Sequence, residues 1–364
     1  GSGKTTLFDV FGFLSDCLQT NVTIAINRRG GFHELISRDT DLSEKIKFEI
    51  KFRIPVPNES NPPLVTYSIE IGFSQGKAFI HKEVLKYRRG QFGKPWHFLD
   101  FSNGEGYAIT NENEYNSNES AAKRELQKVA NPDIMAIKGL GQFEKYKVIS
   151  ALRFMLERWY VSNFKIEYGR NLSETGISEH LSVSGHNLAQ VTKYMYDYHR
   201  DTFDKILKKL PLRIPGINKV EAKETEDGMI LLRFQDESFK NPFLSKFVSD
   251  GTIKMFAYLI LLHDPNPHPL LCIEEPENFL HPDLLMQLCE EIREYSERGG
   301  QVLVSSHSPD FVNGVKIDEL YFLVKEKGFT DIKAAQDDAI VVELAKENQL
   351  GWLWRNHYIH GANL

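Results

Sequence analysis

Leu270–Glu277, LLCIEEPE in one-letter code, is a run of four apolar residues followed by acids. A short apolar run of this kind is typical of a buried strand, and its carboxyl end is where open α/β sheets place their ligands. Glu274 is therefore a candidate ligand of Mg²⁺, directly or through water, and Glu275 a candidate to polarise an attacking water. The alternative is a buried strand that ends in a solvated acidic turn.

Upstream, Ser249–Thr252 reads SDGT and precedes the apolar stretch Ile253–Leu262. A serine at a helix N-cap, with a glycine that permits close approach, makes a good anion site. The pattern predicts that a γ-phosphate is contacted here, and the candidate nucleotide-binding residues are Ser249, Asp250 and Gly251. A capped helix without a ligand is the alternative.

Downstream, His307 lies in the segment SSHSP, just after the apolar run Gln301–Ser305. An imidazole at the carboxyl end of a strand could hydrogen-bond a γ-phosphate and sense its loss. His307 is therefore a candidate catalytic switch, and an ordinary loop histidine is the alternative.

The chain opens on Gly1–Thr6, GSGKTT, which matches the end of the Walker A pattern. Glycines let backbone N–H groups curl around a phosphate, a lysine neutralises its oxygens, and a threonine hydroxyl coordinates Mg²⁺. We expect the loop to begin before Gly1; a short glycine-serine prefix is the alternative. The candidate nucleotide-binding residues are Gly1, Ser2, Gly3, Lys4, Thr5 and Thr6, with Thr5 also a metal ligand.

The order of the four motifs decides between these alternatives. One helix and one strand fit between Ser249 and Glu274, and another helix and strand fit between Glu275 and His307. Four weak signals in the required order, each at the required end of its element, together indicate a nucleotide site of the ABC type.

Four segments carry a resemblance to a known family: Ser249–Thr252, Cys272–Asn278, Leu280–Pro282 and Ser306–Pro309. Gly185–Ala189 and Leu212–Ile217 also resemble it. The family is the RecF/SMC-like predicted ATPases of bacteria, the overcoming-lysogenization-defect group within the ABC class. The resemblance implies an ATP-sandwiched homodimer in which each site combines the Walker motifs of one chain with the signature of the other. It also implies a D-loop at 278–281 and a Q-loop glutamine at Gln142. Glu274 stands where many ABC proteins carry Asp, and long coiled-coil arms are missing.

The predicted fold class is α/β, a P-loop NTPase of ABC type with a mixed sheet, an antiparallel β subdomain and a helical lid insertion. The expected segments are 1–118 (N-terminal core with the β subdomain), 119–215 (lid) and 216–364 (C-terminal core). Alternating patterns predict strands at 22–26, 46–54, 65–73 and 78–87, an exposed loop at 103–118 and a hairpin at 217–234. Helical patterns cover 148–159, 188–210, 252–263 and 282–298, and further strands are expected at 270–273, 301–305, 319–324 and 331–335.

Composition limits the function classes. The formal net charge is -6, which argues against a protein coated in nucleic-acid contacts but leaves room for a local basic strip. The three cysteines do not have the paired spacing of metal ligands, so neither a zinc site nor a disulfide framework is expected. This cysteine usage predicts a cytoplasmic location. No apolar run is long enough to span a bilayer, so membrane insertion is not expected.

The leading hypothesis is a dimeric, Mg²⁺-dependent ATP hydrolase, DNA-linked and part of a bacterial antiphage defence or DNA repair system, with ATP and Mg²⁺ as cofactors. An effector nuclease or another companion protein is a possible partner. The alternatives are the nucleotide-binding subunit of a transporter, from whose longer signature Val248–Thr252 departs, and an ATP-gated scaffold, which Glu275 disfavours. Candidate DNA contacts, each also explicable as a solvated face, are Lys86, Arg88, Arg89, Lys205, Lys208, Lys209 and Arg213.

Overall fold

The structure, a computed structural model, describes residues 3–38, 40–41, 43–55, 61–89, 92–112 and 122–359. The chain folds into two compact units. The first holds Gly1–Asp9 and Tyr160–Leu364, and the second holds Val10–Trp159. Helix α1, Lys4–Gln19, therefore begins in the first unit and continues in the second.

The second unit contains an antiparallel meander in which each strand pairs with the next along the chain. Side chains alternate between the two faces, so that Val65, Tyr67, Ile69 and Ile71 of one strand all lie in the core. This confirms the strands expected at 46–54, 65–73 and 78–87. The strands are β1 Ile46–Arg53, β2 Leu64–Ser74, β3 Lys77–Tyr87, β4 Trp96–Ser102, β5 Glu105–Ile109 and β6 Arg124–Lys128.

Two expectations for this unit are wrong. Residues 22–26 form a helix, because the side chain of Asn21 accepts a hydrogen bond from Ile24 N and caps the first turn, and because the apolar side chains pack into the core. Part of the loop expected at 103–118 is β5, since Asn103 and Gly104 make a tight left-handed turn after β4. Residues 113–118 lie outside the described residues.

Helices share the core with this sheet. They are α2 Val22–Asn27, α3 Phe32–Leu35, α4 Ala136–Leu140 and α5 Lys147–Glu157, with the later turns of α1. Helix α5 buries Val148, Ile149, Leu152 and Leu156, the i, i+1, i+4, i+8 stripe of an amphipathic helix. The helical pattern expected at 148–159 is confirmed.

The first unit alternates helices and short strands around one buried helix. Its elements are β7 Trp159–Ser162, α6 Ile166–Gly169, β8 Ser173–Glu174, α7 Leu188–Tyr198, α8 Arg200–Arg213, β9 Ile217–Glu224, β10 Met229–Asp236, β11 Phe243–Leu244, α9 Asp250–Leu262, β12 Leu270–Glu274, α10 Pro282–Glu297, β13 Val302–Ser305, α11 Pro309–Val312, β14 Tyr321–Glu326, β15 Phe329–Ala334, α12 Ala339–Leu344 and α13 Leu350–Arg355. Residues Ile253–Leu262 of α9 are all buried. A helix that is apolar on every side must be enclosed by protein.

The sheet next to α9 is smaller than the sequence suggests. β12 lies in its middle, with β13 parallel on one side and β7 on the other. Within the described part of the chain, β14 and β15 pair only with each other, as an antiparallel hairpin. The hairpin expected at 217–234 is confirmed by β9 and β10, which pair around a turn at Gly228.

The described residues group differently from the three segments expected at 1–118, 119–215 and 216–364. Helix α5 shares a core with the antiparallel sheet of the second unit. Helices α7 and α8 instead pack with α9, β9 and β10 in the first unit. The two halves of the expected lid thus belong to different hydrophobic cores. Among the described residues, we find no helix with the length and apolar character needed to cross a membrane.

One buried acid holds a helix start in the second unit. Glu83 of β3 is 1% exposed and accepts hydrogen bonds from the backbone N–H groups of Ala136 at 2.7 Å and Ile137 at 3.1 Å. The hydroxyl of Tyr67 donates a third bond at 3.1 Å. Burial raises the pKa of Glu83 to about 7, although the three bonds act in the opposite direction.

We predict that Glu83→Ala lowers the free energy of unfolding by about 2–4 kcal/mol, because two buried N–H groups of α4 lose their acceptor. Urea denaturation followed by circular dichroism measures the change. Glu49→Ala, on an exposed position of β1, is the control and should change stability by no more than about 0.5 kcal/mol. Equal effects of the two variants would contradict the role of Glu83.

Stability should also depend on pH through this group. The folded-state pKa of Glu83, about 7, is above the ordinary carboxyl value, so the folded chain binds the proton more tightly than the unfolded chain. Wild-type stability is therefore lost as pH rises from about 4.3 through about 7. The side chain in Glu83→Gln does not ionise, so the stability of this variant should not fall in the same way. The difference in unfolding free energy, variant minus wild type, should therefore increase as pH rises through this window. A difference independent of pH would contradict the shift.

Candidate functional site

The phosphate-loop motif leads directly into α1. Gly3 has φ +93°, a backbone conformation that favours glycine, and a Cβ there would lie 2.7 Å from Thr330 Oγ1 of β15. The amide of Leu7 donates to the Gly3 carbonyl at 2.9 Å and closes the first helical turn. Gly1 and Ser2 lie outside the described residues. The start of α1 thus has the geometry of a helix that follows a tight glycine loop.

Lys4 and Thr5 face the acids at the end of β12. Burial lowers the pKa of Lys4, while the carboxylates of Glu275 and Glu277 act in the opposite direction. The pKa of Glu274 is raised, mainly by burial; a hydrogen bond with the Thr5 side chain opposes this rise, and the charges of Glu275 and Asp9 add to it. The structure therefore brings together the motif residues at 4–5 and 274–275. Thr5 and Thr6 are both exposed, and a contact of Thr6 with nucleotide stays a prediction.

Strand pairing places these acids beside the segment that carries His307. β12 and β13 run parallel with Glu274 opposite Ser305, and the amide of Glu275 donates to the Ser305 carbonyl at 2.8 Å. The acids and the histidine therefore leave the sheet at the same edge, as expected for carboxyl ends of adjacent parallel strands.

The Glu275 side chain lies between the side chains of Asn278 and His307. Asn278 Nδ2 donates to its Oε2 at 2.9 Å, and His307 Nε2 lies 3.6 Å from its Oε1. Glu275 has φ +44°, a left-handed conformation that costs a non-glycine residue about 1–3 kcal/mol. Its side chain is 45% exposed, so it can reach a ligand.

Glu277 fixes the His307 segment, and the sequence analysis did not assign it a role. Its Oε1 accepts hydrogen bonds from Ser306 Oγ at 2.9 Å and from the backbone amide of His307 at 2.6 Å. One feature of the sequence could have predicted this role: Glu277 is the third acid of Glu-Glu-Pro-Glu. Pro276 turns the chain, which brings Glu277 back toward the next strand.

The signature motif is the start of α9. Ser249 is the N-cap residue, and its Oγ accepts a hydrogen bond from Thr252 N at 3.2 Å. The carboxylate of Asp250 forms an ion pair with Arg170. A Cβ on Gly251 would lie 2.9 Å from the carbonyl oxygen of Phe279, so the helix start needs glycine where it meets the turn after β12. The N-cap predicted at Ser249 is confirmed; its contact with nucleotide stays a prediction.

The remaining candidates differ in their surroundings. Gln142 belongs to the second unit, is exposed and donates to the Lys138 carbonyl at 3.3 Å; its assignment as the Q-loop glutamine stays a prediction.

Of the basic residues of α8, Lys209 and Arg213 form ion pairs with acids of α10, among them Glu291, whose side chain is fully buried. Lys205 and Lys208 are exposed.

The donor set fits a bound Mg²⁺. The Thr5 hydroxyl and the Glu274 carboxylate are oxygen ligands of the kind that Mg²⁺ prefers, and the Thr5 side chain lies near enough to lower the pKa of Glu274. The raised pKa of Glu274 shows that its negative charge is poorly solvated in the protein alone. A cation at this place would relieve that cost.

Comparisons with known proteins identify the family and the fold. The family model described as "AAA domain, putative AbiEii toxin, Type IV TA system" matches residues 1–313. An SMC head bound to the C-winged helix domain of ScpA superposes with a TM-score of 0.52 at 13% identity, covering 92% of this chain and 86% of that one. No curated protein matches the chain.

A second structure of similar fold is the Pyrococcus furiosus SMC head domain with an extended coiled coil, bound to the C-terminal domain of ScpA. Its TM-score is 0.50 at 11% identity, and the match covers 95% of this chain and 91% of that one. At these identities the likeness concerns the fold. Together with the family match, it confirms the predicted P-loop NTPase fold and the resemblance to RecF/SMC-like ATPases of the ABC class.

We predict that Glu277→Ala lowers the free energy of unfolding by about 1–3 kcal/mol, because the Ser306 hydroxyl and the His307 amide lose a charged acceptor. Hydrogen exchange at 306–308 should become faster, and mass spectrometry after proteolysis measures it. Asp283→Ala, whose side chain is 88% exposed, is the control. Unchanged exchange at 306–308 in Glu277→Ala would show that the carboxylate does not hold this segment.

Proposed function

We propose that this chain, which belongs to the AAA-domain family described above, is a Mg²⁺-dependent ATP hydrolase that binds nucleotide between two copies of itself. The observation that carries the proposal is the convergence of the Lys4–Thr5 pair with Glu274, Glu275 and His307 in one unit. A phosphate-binding lysine, a hydroxyl–carboxylate pair and a polarising acid beside a histidine are the groups that phosphoryl transfer to water requires.

Each residue has a distinct role in the proposal. The loop at Gly3 and the Lys4 ammonium bind the β- and γ-phosphates, and Thr5 with Glu274 would hold Mg²⁺. The bound ion would supply charge neutralisation for the phosphate oxygens. Lys4 suits its role because the carboxylates of Glu275 and Glu277 lie near enough to favour its charged form, although burial acts in the opposite direction.

In the hydrolytic step, Glu275 orients a water and accepts its proton as the water oxygen forms a bond to the γ-phosphorus. The bond between that phosphorus and the oxygen that bridges to ADP breaks, so the products are ADP and phosphate. Asn278 donates to Glu275 Oε2 and leaves the other oxygen directed toward His307, 3.6 Å away. His307 lies beside Glu275 and would bind the γ-phosphate and respond to its departure.

The signature would act on the nucleotide of a second copy. Ser249 begins a thirteen-residue helix, and the hydroxyl, the first amides and the helix dipole favour a bound anion. The surface near this helix start carries two exposed aromatic side chains, Phe247 at 70% and Phe279 at 67% exposure. A second copy that covered them would remove apolar surface from water, which favours association.

We further propose that the ATPase is linked to DNA and serves antiphage defence or DNA repair together with a companion protein. The family description, which names a toxin of a toxin–antitoxin system, supports a role in bacterial conflict. Both SMC heads of similar fold are bound to domains of ScpA, which supports a companion protein. Lys209 and Arg213 form ion pairs with α10, whereas Lys205 and Lys208 are exposed. We therefore expect Lys205 and Lys208 to be the residues of α8 that contact DNA.

Glu275→Gln tests the catalytic assignment. Loss of the proton acceptor should lower kcat by about 10²–10⁴-fold while ATP binding persists. ATP and Mg²⁺ should then hold the variant as a dimer in analytical ultracentrifugation, and the wild type should return to monomer as ATP is consumed. Glu297→Gln, on an exposed position of α10, is the matched control and should behave like wild type. Hydrolysis by Glu275→Gln at the wild-type rate would refute the assignment.

DNA-stimulated turnover tests the proposed biological role. Double-stranded DNA should raise the ATPase rate, and the Lys205→Ala, Lys208→Ala double variant should need more DNA for half-maximal stimulation, most clearly at low salt. The same double variant should keep its basal rate. A rate unaffected by any nucleic acid, together with recovery of the protein in the membrane fraction, would favour the transporter alternative.

A further inference from the structure

We propose that Lys254 is a positioning residue that couples the signature helix α9 to the hydrolytic Glu275 of the same chain. If the proposed function holds, α9 contacts one nucleotide and Glu275 acts on the other. Lys254 would then make hydrolysis at one nucleotide depend on occupation of the second. The proposal rests on the proposed function and adds communication between the two sites.

Lys254 is a buried cation with backbone partners. It is 5% exposed, and its Nζ donates to the carbonyl of Asn278 at 2.6 Å and lies 3.4 Å from the carbonyl of Glu275. The aromatic rings of Tyr258 and Phe279 flank the ammonium, with Nζ 5.7 Å and 6.0 Å from their centroids. A lysine is rarely buried unless its charge is compensated, so these contacts define its environment.

Protonation of this lysine is disfavoured by its burial, which lowers the pKa of Lys254 to about 8. The carboxylates of Glu277 and Glu275 act in the opposite direction. The ammonium is thus placed among the same acids that surround Lys4. Among the described contacts, the Lys254 ammonium binds backbone carbonyls of the turn after β12 and forms no ion pair with a carboxylate.

The turn that Lys254 holds is strained at both ends. Glu275 has φ +44° and Phe279 has φ +67°, each a left-handed conformation that costs a non-glycine residue about 1–3 kcal/mol. Such a conformation persists only where surrounding contacts fix it. Lys254 reaches the carbonyl of Glu275 and that of Asn278, whose peptide group continues into Phe279, so its ammonium supplies a contact of this kind.

A second contact joins the same two elements. Gly251, three residues before Lys254 and so on the same side of α9, meets the carbonyl oxygen of Phe279 closely. The first turn of α9 therefore contacts the turn after β12 through backbone and through the lysine. A shift of the helix start when Ser249 binds a phosphate would displace the peptide groups on which the position of the Glu275 side chain depends.

Lys254→Met removes the charge and the donors while keeping the length of the side chain. The variant should still bind ATP, measured with a fluorescent ATP analogue, because the phosphate-loop residues Lys4 and Thr5 are unchanged in it. Its kcat should fall about 10- to 100-fold, the effect of a small misplacement of a catalytic group. We expect a Hill coefficient for ATP above 1 in the wild type, and it should fall to about 1 in the variant.

Two matched variants separate coupling from a structural role. Lys240→Met, at an exposed lysine of the same unit, should keep the wild-type kcat and Hill coefficient. Lys254→Arg keeps the positive charge and the donors and should retain a Hill coefficient above 1. If Lys254→Met does not fold, the arginine variant decides the matter: cooperativity retained in it supports the proposal, and cooperativity lost in it overturns the proposal.

The outcomes are distinct from failure of the proposed function. A wild-type chain that neither hydrolyses ATP nor dimerises with it would refute that function itself. A wild type that hydrolyses ATP cooperatively, together with a folded Lys254→Met of unchanged kcat and Hill coefficient, would refute only the coupling. A variant with lower thermal stability but an unchanged Hill coefficient would leave Lys254 as a packing residue and overturn the proposal.

Discussion

The hydrogen-bonded pairing of β12 with β13 is the constraint on which the site depends. Because the two strands run parallel with Glu274 opposite Ser305, their carboxyl ends leave the sheet together. The acids that follow one strand thereby come within reach of the histidine that follows the other. Glu277 completes this junction, since it follows β12 in sequence but binds the segment after β13.

Much of the site could be predicted because its motifs occupy element ends, and element ends obey simple rules. The acids after Leu270–Ile273 and the N-cap at Ser249 follow from local pattern alone. The contributions of Glu277 and Lys254 could not be predicted in the same way. Each depends on a contact between elements that are adjacent in space, and no spacing in one sequence reports such a contact.

The errors in the fold have a similar origin. Residues 22–26 have the β-branched composition of a strand, yet a single side-chain cap at Asn21 and burial against the sheet favour a helix. The middle of the chain reads as one helical region, but its helices belong to two cores because their apolar stripes meet different partners. Periodicity identifies a buried face, whereas the identity of the surface that covers it is a property of the whole fold.

Thr330 lies against Gly3, and this closeness links distant parts of the sequence. The family match ends at residue 313, whereas Thr330 belongs to the β14–β15 hairpin that follows. The hairpin thus lies against Gly3, in the loop that is proposed to bind phosphate, and a Cβ at this position would clash with it. A side chain at position 3 would have to displace the hairpin, so the conformation of the first motif depends on a segment near the other end of the sequence.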